Sequence, residues 1–240
     1  MKIILLKHYL TTAFVLFMLV NFSSIDQVLA AEVDDPLLTK VMLDEVESDL
    51  SNTASWSAQA WLGYDLHKLW IKTEGEYSDS ETQDAEIQAL YSRAIAAYWD
   101  LQLGIRRDIE SSPSRNWAVL GVQGLAPYFF EIDTALFISE AGRTAFRFSS
   151  EYELLITQKL ILTPEVEINF YGQNDPQIGV GAGLSDLGAG LRLRYELVRE
   201  FAPYIGISWN KRFGKTADYA RDKGEDESET QFVIGFRSWF

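Results

Sequence analysis

The stretch Thr230–Phe240, TQFVIGFRSWF, ends the chain and decides how the rest is read. Phe232, Ile234, Phe236 and Phe240 fall on one parity, and Gln231, Val233, Gly235, Arg237 and Trp239 on the other. Successive side chains of a strand point to opposite faces, so the segment reads as a strand with one apolar and one mixed face. Ser238 interrupts the apolar parity. The residues upstream decide whether this is an edge strand of a soluble protein or the last stave of a closed barrel.

The same alternation recurs upstream. Ile205, Ile207 and Trp209 oppose Tyr204, Ser208 and Asn210, while Leu191, Leu193, Tyr195 and Leu197 oppose Arg192, Arg194 and Glu196. Leu160, Leu162, Val166, Ile168 and Phe170 oppose Glu165, Glu167, Asn169 and Tyr171. Phe146 and Phe148 oppose Arg147, Ser149, Glu151 and Glu153. Ile132, Leu136 and Ile138 stand against Glu131 and Asp133, and Leu120 and Val122 against Gly121 and Gln123. Leu101, Leu103 and Ile105 face away from Asp100, Gln102 and Arg106, and Leu69 and Ile71 from Lys68, Trp70, Lys72, Glu74 and Glu76. Two segments are weaker. Residues 86–97 alternate poorly and their alanines suit a helix, yet the flanking pattern and the shared parity of Tyr91 and Arg93 favour a strand. From Lys40, Glu45, Glu47 and Asp49 oppose Met42 and Val46, with Asp44 breaking the apolar face.

Composition sets the frame. A formal net charge of −14 argues against a nucleic-acid partner, which needs a basic face, and suits the attraction of cations. No cysteine is present, so there is neither a disulfide framework nor a thiolate metal site. Residues 1–30 read as an export signal: Lys2 and Lys7, an apolar run from Leu10 to Val20, then Val28-Leu29-Ala30 before the cleavage point. Residues 31–39 read as a short periplasmic leader, and 40–240 as one β domain. No later run is long and apolar enough for a transmembrane helix, so a membrane crossing must use strands.

Counting back from Phe240, tight turns alternate with longer polar loops, and all tight turns fall on the side of the C-terminus. Short periplasmic turns, long external loops and strands of about ten residues describe an outer-membrane barrel. We therefore expect an all-β fold, an antiparallel transmembrane β-barrel of about 12 strands (ten and fourteen being the neighbouring counts), with both termini periplasmic and outer-membrane lipid as its solvent. A soluble barrel of the same pattern would carry its apolar parity inside. In the membrane reading, Glu74, Arg93, Asp100, Arg106, Glu131, Asp133, Arg147, Glu151, Glu165, Glu167, Arg192, Arg194, Glu196 and Arg237 form a paired-ion network in the lumen. Trp56, Trp70, Trp99, Tyr128, Tyr171, Trp209 and Trp239 suit interfacial girdles.

Several runs also carry a family resemblance: Trp61-Leu62-Gly63, Leu69-Trp70-Ile71-Lys72, Leu90-Tyr91-Ser92-Arg93, Trp99-Asp100-Leu101-Gln102, and above all GVQGLAPY at 121–128 and GLRLRYE at 190–196. Over most of residues 40–240 the chain resembles the outer-membrane copper-resistance protein B family (CopB/PcoB type). The resemblance implies an outer-membrane barrel that contributes to copper tolerance by export or sequestration, with copper as a transported or weakly bound ion. It points to a periplasmic copper oxidase or copper-binding protein as partner. The alternative is a general small porin or solute channel without metal specificity. Members of the family often carry a Met/His-rich segment, whose thioethers and imidazoles suit copper. Beyond residue 30 this sequence has only Met42 and His67 as soft ligands, so no tight copper site is expected. His67 falls in a tight turn, away from any activated nucleophile, and the expectation is that the protein is not an enzyme. Loop 213–229, rich in Asp and Glu, reads as a solvated loop, and the glycines at 179, 181 and 183 as flexible loop.

Overall fold

The computed structural model describes residues 35–49, 53–78, 81–109 and 114–240; the export signal and the first part of the leader lie outside the described residues. Twelve strands run in chain order: β1 Leu38–Asp49, β2 Ala54–Gly63, β3 His67–Ser78 and β4 Glu81–Ala96; β5 Trp99–Asp108, β6 Arg115–Ala126, β7 Phe130–Ser139 and β8 Thr144–Glu151; β9 Leu160–Tyr171, β10 Gly183–Tyr195, β11 Phe201–Arg212 and β12 Ser228–Trp239. Leu154–Leu155 continues β8 after a break and pairs with the start of β9. Each strand pairs antiparallel with its sequence neighbours. The sheet closes where β1 meets β12, from Met42 opposite Trp239 to Asp49 opposite Val233. Phe240 completes the seam: its N–H and carbonyl both bond to Val41. A barrel has no free edge, so every ladder group is satisfied within the sheet, the condition for strands in lipid.

The apolar parity faces outward. Leu69, Ile105, Ile205, Phe232 and Ile234 are 60% or more exposed, while Ser92 and Gln102 on the opposite face are 1% exposed. This is the membrane arrangement, inverted from a soluble barrel. One stretch differs from the expected parity, and two aromatics from their expected place at the interface. A bulge interrupts the register of β1 between Leu43 and Val46. The extra residue shifts the alternation, so Met42 packs inward and Asp44 also reaches the lumen; the apolar face read from Met42 and Val46 is broken there. Trp70 and Tyr171, expected at the lipid interface, lie inside. They pack with Leu90, Trp117, Val119, Ala135, Phe137 and Ala145 in an apolar cluster that fills one side of the interior.

The segment from residue 86 to Ala96 is strand, as its flanks required, and β4 already begins at Glu81, two residues after β3 ends at Ser78. Loop 213–229 is more ordered than expected. It contains a helix, α1, Gly214–Lys223, which buries Thr216, Ala217 and Ala220 and ends at Gly224 with φ of 80°. On its exposed face the side-chain bond from Lys215 holds the Asp218 carboxyl below its ordinary value. At the seam, a β-carbon on Gly235 would stand 2.6 Å from the Val46 carbonyl and 2.7 Å from the Tyr204 ring, so this position must be glycine.

Candidate functional site

The site is the lumen, built by alternate residues of all twelve strands. Their inward side chains are polar because lipid takes the other parity. A long guanidinium or ammonium can then reach a carboxylate several strands away, and the ion pairs become struts across the barrel.

Arg147 on β8 reaches Glu74 on β3 and Glu86 on β4 (3.1 Å), and stands 3.7 Å from Glu167. Arg106 joins the same group through Glu86 and Asp108, both at 2.7 Å, and the Trp117 indole donates to Asp108 at 2.8 Å. Both guanidiniums lie over the Phe137 ring. Lys72 on β3 donates to Asp133 on β7 at 2.6 Å and to the side-chain carbonyls of Gln123 and Gln102. Arg192 on β10 meets Glu45 (3.1 Å) and Glu47 (3.0 Å) on β1, and Glu165 on β9; the Tyr204 hydroxyl also donates to Glu47. Arg237 on β12 binds Glu151 at 3.2 Å, Glu153 at 3.3 Å and Asp44 at 3.6 Å, and Arg194 shares Glu153. Lys68 pairs with Asp100 at 3.5 Å. With Glu131 and Lys40 on the cavity wall, the carboxylates of these groups (Asp44, Glu45, Glu47, Glu74, Glu86, Asp100, Asp108, Glu131, Asp133, Glu151, Glu153, Glu165, Glu167) are thirteen against eight basic side chains (Lys40, Lys68, Lys72, Arg106, Arg147, Arg192, Arg194, Arg237). The lumen is therefore net acidic. Between the struts lies a cavity of about 700 Å³, lined by Met42, Asp44, Gln59, Trp61, Lys72, Glu131, Glu151 and Arg237 among others.

Two residues expected in the lumen stand elsewhere. Arg93 shares its parity with the exposed Ile87 and Tyr91 and faces outward, because β4 holds its alternation through this end. Glu196 lies past the end of β10, in the turn, where it pairs with Arg199 at 3.6 Å. Conversely, the sequence reading of the lumen passed over Asp44, Glu45, Glu47, Glu86, Asp108, Glu153 and the lysines. The parity of Glu45, Glu47, Lys68 and Lys72 marked them; Asp44 is brought in by the bulge.

The external mouth is partly roofed. Asp175, 2% exposed in the β9–β10 loop, takes Arg115 of β6 and Arg143 (3.0 Å), and Arg115 also donates to Gln177. The same loop joins α1, where Gly181 N–H donates to the Thr216 hydroxyl, itself 3.0 Å from the buried Ser185 hydroxyl. The two soft ligands do not converge. His67 sits on the outward face, its Nδ1 2.5 Å from the Tyr91 hydroxyl, while Met42 points into the lumen. Among the described residues, no group of three or more His, Cys, Asp or Glu is arranged to hold a metal ion.

A closed twelve-strand barrel with an apolar exterior and an ionic interior is a β-barrel of the outer membrane; the connections are less sorted than expected, since the two-residue connection between Ser78 and Glu81 shares a rim with the long loops. Solved porins share that architecture. The NanC porin superposes with a TM-score of 0.55 at 15% identity, covering 84% of this chain and 99% of that one. The KdgM porin gives 0.52 at 11% identity, covering 85% and 99%. At such identities the likeness shows the fold alone. Sequence goes further. The model of the family described as Copper resistance protein B precursor (CopB) matches residues 37–240, and the chain belongs to that family. Copper resistance protein B of Escherichia coli is 48% identical over 203 residues, covering 83% of this chain and 69% of that protein. The Copper resistance protein B homolog of Pseudomonas syringae pv. tomato is 42% identical over 210 residues, covering 86% and 71%.

Proposed function

We propose that the barrel serves copper tolerance as a conduit that lets copper cations cross the outer membrane, and not as a tight copper store. The observation that carries this reading is the net-acidic lumen around a cavity of about 700 Å³. The excess of carboxylates over basic groups raises the local concentration of cations. They are hard ligands with little selectivity for copper, and the soft ligands Met42 and His67 lie on opposite faces of the wall. Sequestration would need ligands from elsewhere, so this reading assigns them to a periplasmic copper oxidase or copper-binding protein working with the barrel. The residue inventory favours a non-enzymatic role. His67 bonds to Tyr91, and most glutamates of the lumen pair with arginines.

The test has two arms. A deletion strain should grow poorly on copper and recover with the full chain, and the refolded barrel should conduct in planar bilayers. Conductance with no copper phenotype would favour a general small porin, the reading that the mixed-charge lumen also accommodates. Equilibrium dialysis against buffered copper should give no stoichiometric binding at sub-micromolar free ion. Binding lost on changing His67 or Met42 would overturn the conduit reading in favour of a store.

A further inference from the structure

The struts form a closed belt. Gln59 on β2 donates to Asp44 on β1 at 2.7 Å. Asp44 meets Arg237 on β12 at 3.6 Å, and Arg237 crosses to Glu151 on β8 at 3.2 Å. Glu151 is the ladder partner of Glu131 on β7, which lies two residues from Asp133 on the same face. Asp133 takes the Lys72 ammonium of β3 at 2.6 Å, and Lys72 is the ladder partner of Gln59, where the circuit closes. All seven residues line the cavity described above. The circuit therefore spans this cavity, whose wall is completed by Trp70 and Phe137 of the apolar cluster and by Glu45 and Glu165 of the Arg192 group.

The charge of this ring is unequal. Asp44, Glu131, Asp133 and Glu151 are four carboxyl groups against the two basic groups of Lys72 and Arg237, a formal excess of two. The two cations differ in how they are held. Lys72 is fixed by three oxygens at 2.6 to 3.2 Å and lies under the Trp70 ring. Arg237 shares its contacts among three carboxylates at 3.2 to 3.6 Å, and its side chain is 25% exposed to the cavity. In a low-dielectric enclosure an uncompensated charge of this size attracts counter-ions and excludes co-ions over the few ångströms of a narrow pore.

We propose that this belt is the charge-selecting constriction of the barrel. It passes small cations and rejects anions, with Arg237 as a tethered cation that a permeating ion must displace from Glu151 and Asp44. This rests on the conduit reading. It adds which residues determine what passes, and it names the permeant class as small cations in general rather than copper alone.

The experiment uses the full refolded barrel in planar bilayers under a potassium chloride gradient, with heat-modifiable migration confirming that each variant is folded. The wild type should reverse at a potential of the sign for potassium over chloride. Arg237→Gln should raise single-channel conductance severalfold and keep that sign. The double variant Asp133→Asn/Glu151→Gln should move the reversal potential towards zero. Exchanging the pair, Arg237→Glu with Glu151→Arg, should restore conductance towards the wild-type value. Asp218→Asn, on the external face of α1, should change nothing. An open pore that is unselective or prefers chloride would overturn the belt while leaving a conduit in place, as would an Arg237→Gln barrel indistinguishable from wild type. A barrel silent in every variant would overturn the belt and the conduit together.

Discussion

Depth in the bilayer is the sharpest consequence of the register, and two arginine substitutions on the same lipid face separate it from simple crowding. β11 runs from Phe201 to Arg212, so Ile207 stands at its middle, and it is 43% exposed on the outer face. β10 runs from Gly183 to Tyr195, and Leu193 lies four residues from the midpoint at Ala189. With about 3.3 Å of rise per residue and a tilt near 40°, Leu193 is roughly 10 Å from the midplane, close to the edge of an apolar band about 25 Å tall. Ile207→Arg should therefore cost about 2–4 kcal/mol and Leu193→Arg only about 0–1 kcal/mol. The assay is reversible denaturant unfolding in phosphatidylcholine vesicles, followed by the fluorescence of the chain's seven tryptophans. Equal costs at the two positions would refute the assigned depth. A tolerated arginine at 207 with a damaging one at 192's neighbouring lipid position, 193, would refute the register itself.

Three further outcomes follow from the geometry. Arg192→Met strands Glu45, Glu47 and Glu165 around the same space and should cost about 3–5 kcal/mol in the same unfolding assay; an unchanged midpoint would mean these carboxylates are solvated. Gly235→Ala pushes a methyl into the Val46 carbonyl and the Tyr204 ring and should cost about 1–3 kcal/mol, with slower appearance of the heat-modifiable form during folding; wild-type yield and rate would show that the seam gives way cheaply. Asp175→Asn removes the anion shared by Arg115 and Arg143, and loop 172–182 should be cut faster by protease added to proteoliposomes, whereas identical cleavage would show that Asp175 does not hold the roof.

What the sequence made legible and what it hid have the same physical origin. Where one parity meets lipid and the other meets water and ions, alternation is strict, and β5, β6, β9, β10 and β12 could be read residue by residue. A bulge costs one residue and erases the phase, so β1 gave the wrong side for Met42 although its three acids were correctly grouped. Trp70 shares its parity with Lys68 and Lys72, and that signal pointed inward; reading it as an interfacial aromatic set residue type above phase. Helix α1 had its own marks in Thr216, Ala217 and Ala220 on one face and Gly224 after the last turn, obscured by a run of charges. The struts were out of reach. Pairings such as Arg147 with Glu74 or Arg237 with Glu151 join strands five and four places apart. Which carboxylate a long side chain reaches depends on barrel curvature, not on spacing along the chain.

The closing strand concentrates these constraints. Its outward residues Phe232, Ile234 and Phe236 face lipid, while Val233, Gly235 and Arg237 face in. Gly235 admits the Tyr204 ring that bonds Glu47, and Arg237 carries the belt from β1 across to β8. Phe240 then locks the register by its paired bonds to Val41. A slip of one residue between β12 and its neighbours would exchange the two faces. Arg237 would then be offered to lipid, Phe236 would enter the lumen, and a side chain would meet the Val46 carbonyl where only glycine fits. Each of these errors is costly alone, and they occur together. Membrane insertion, closure of the sheet and the charge of the constriction are thus tied to one register, which is why the parity of a single terminal stretch carries so much of the fold.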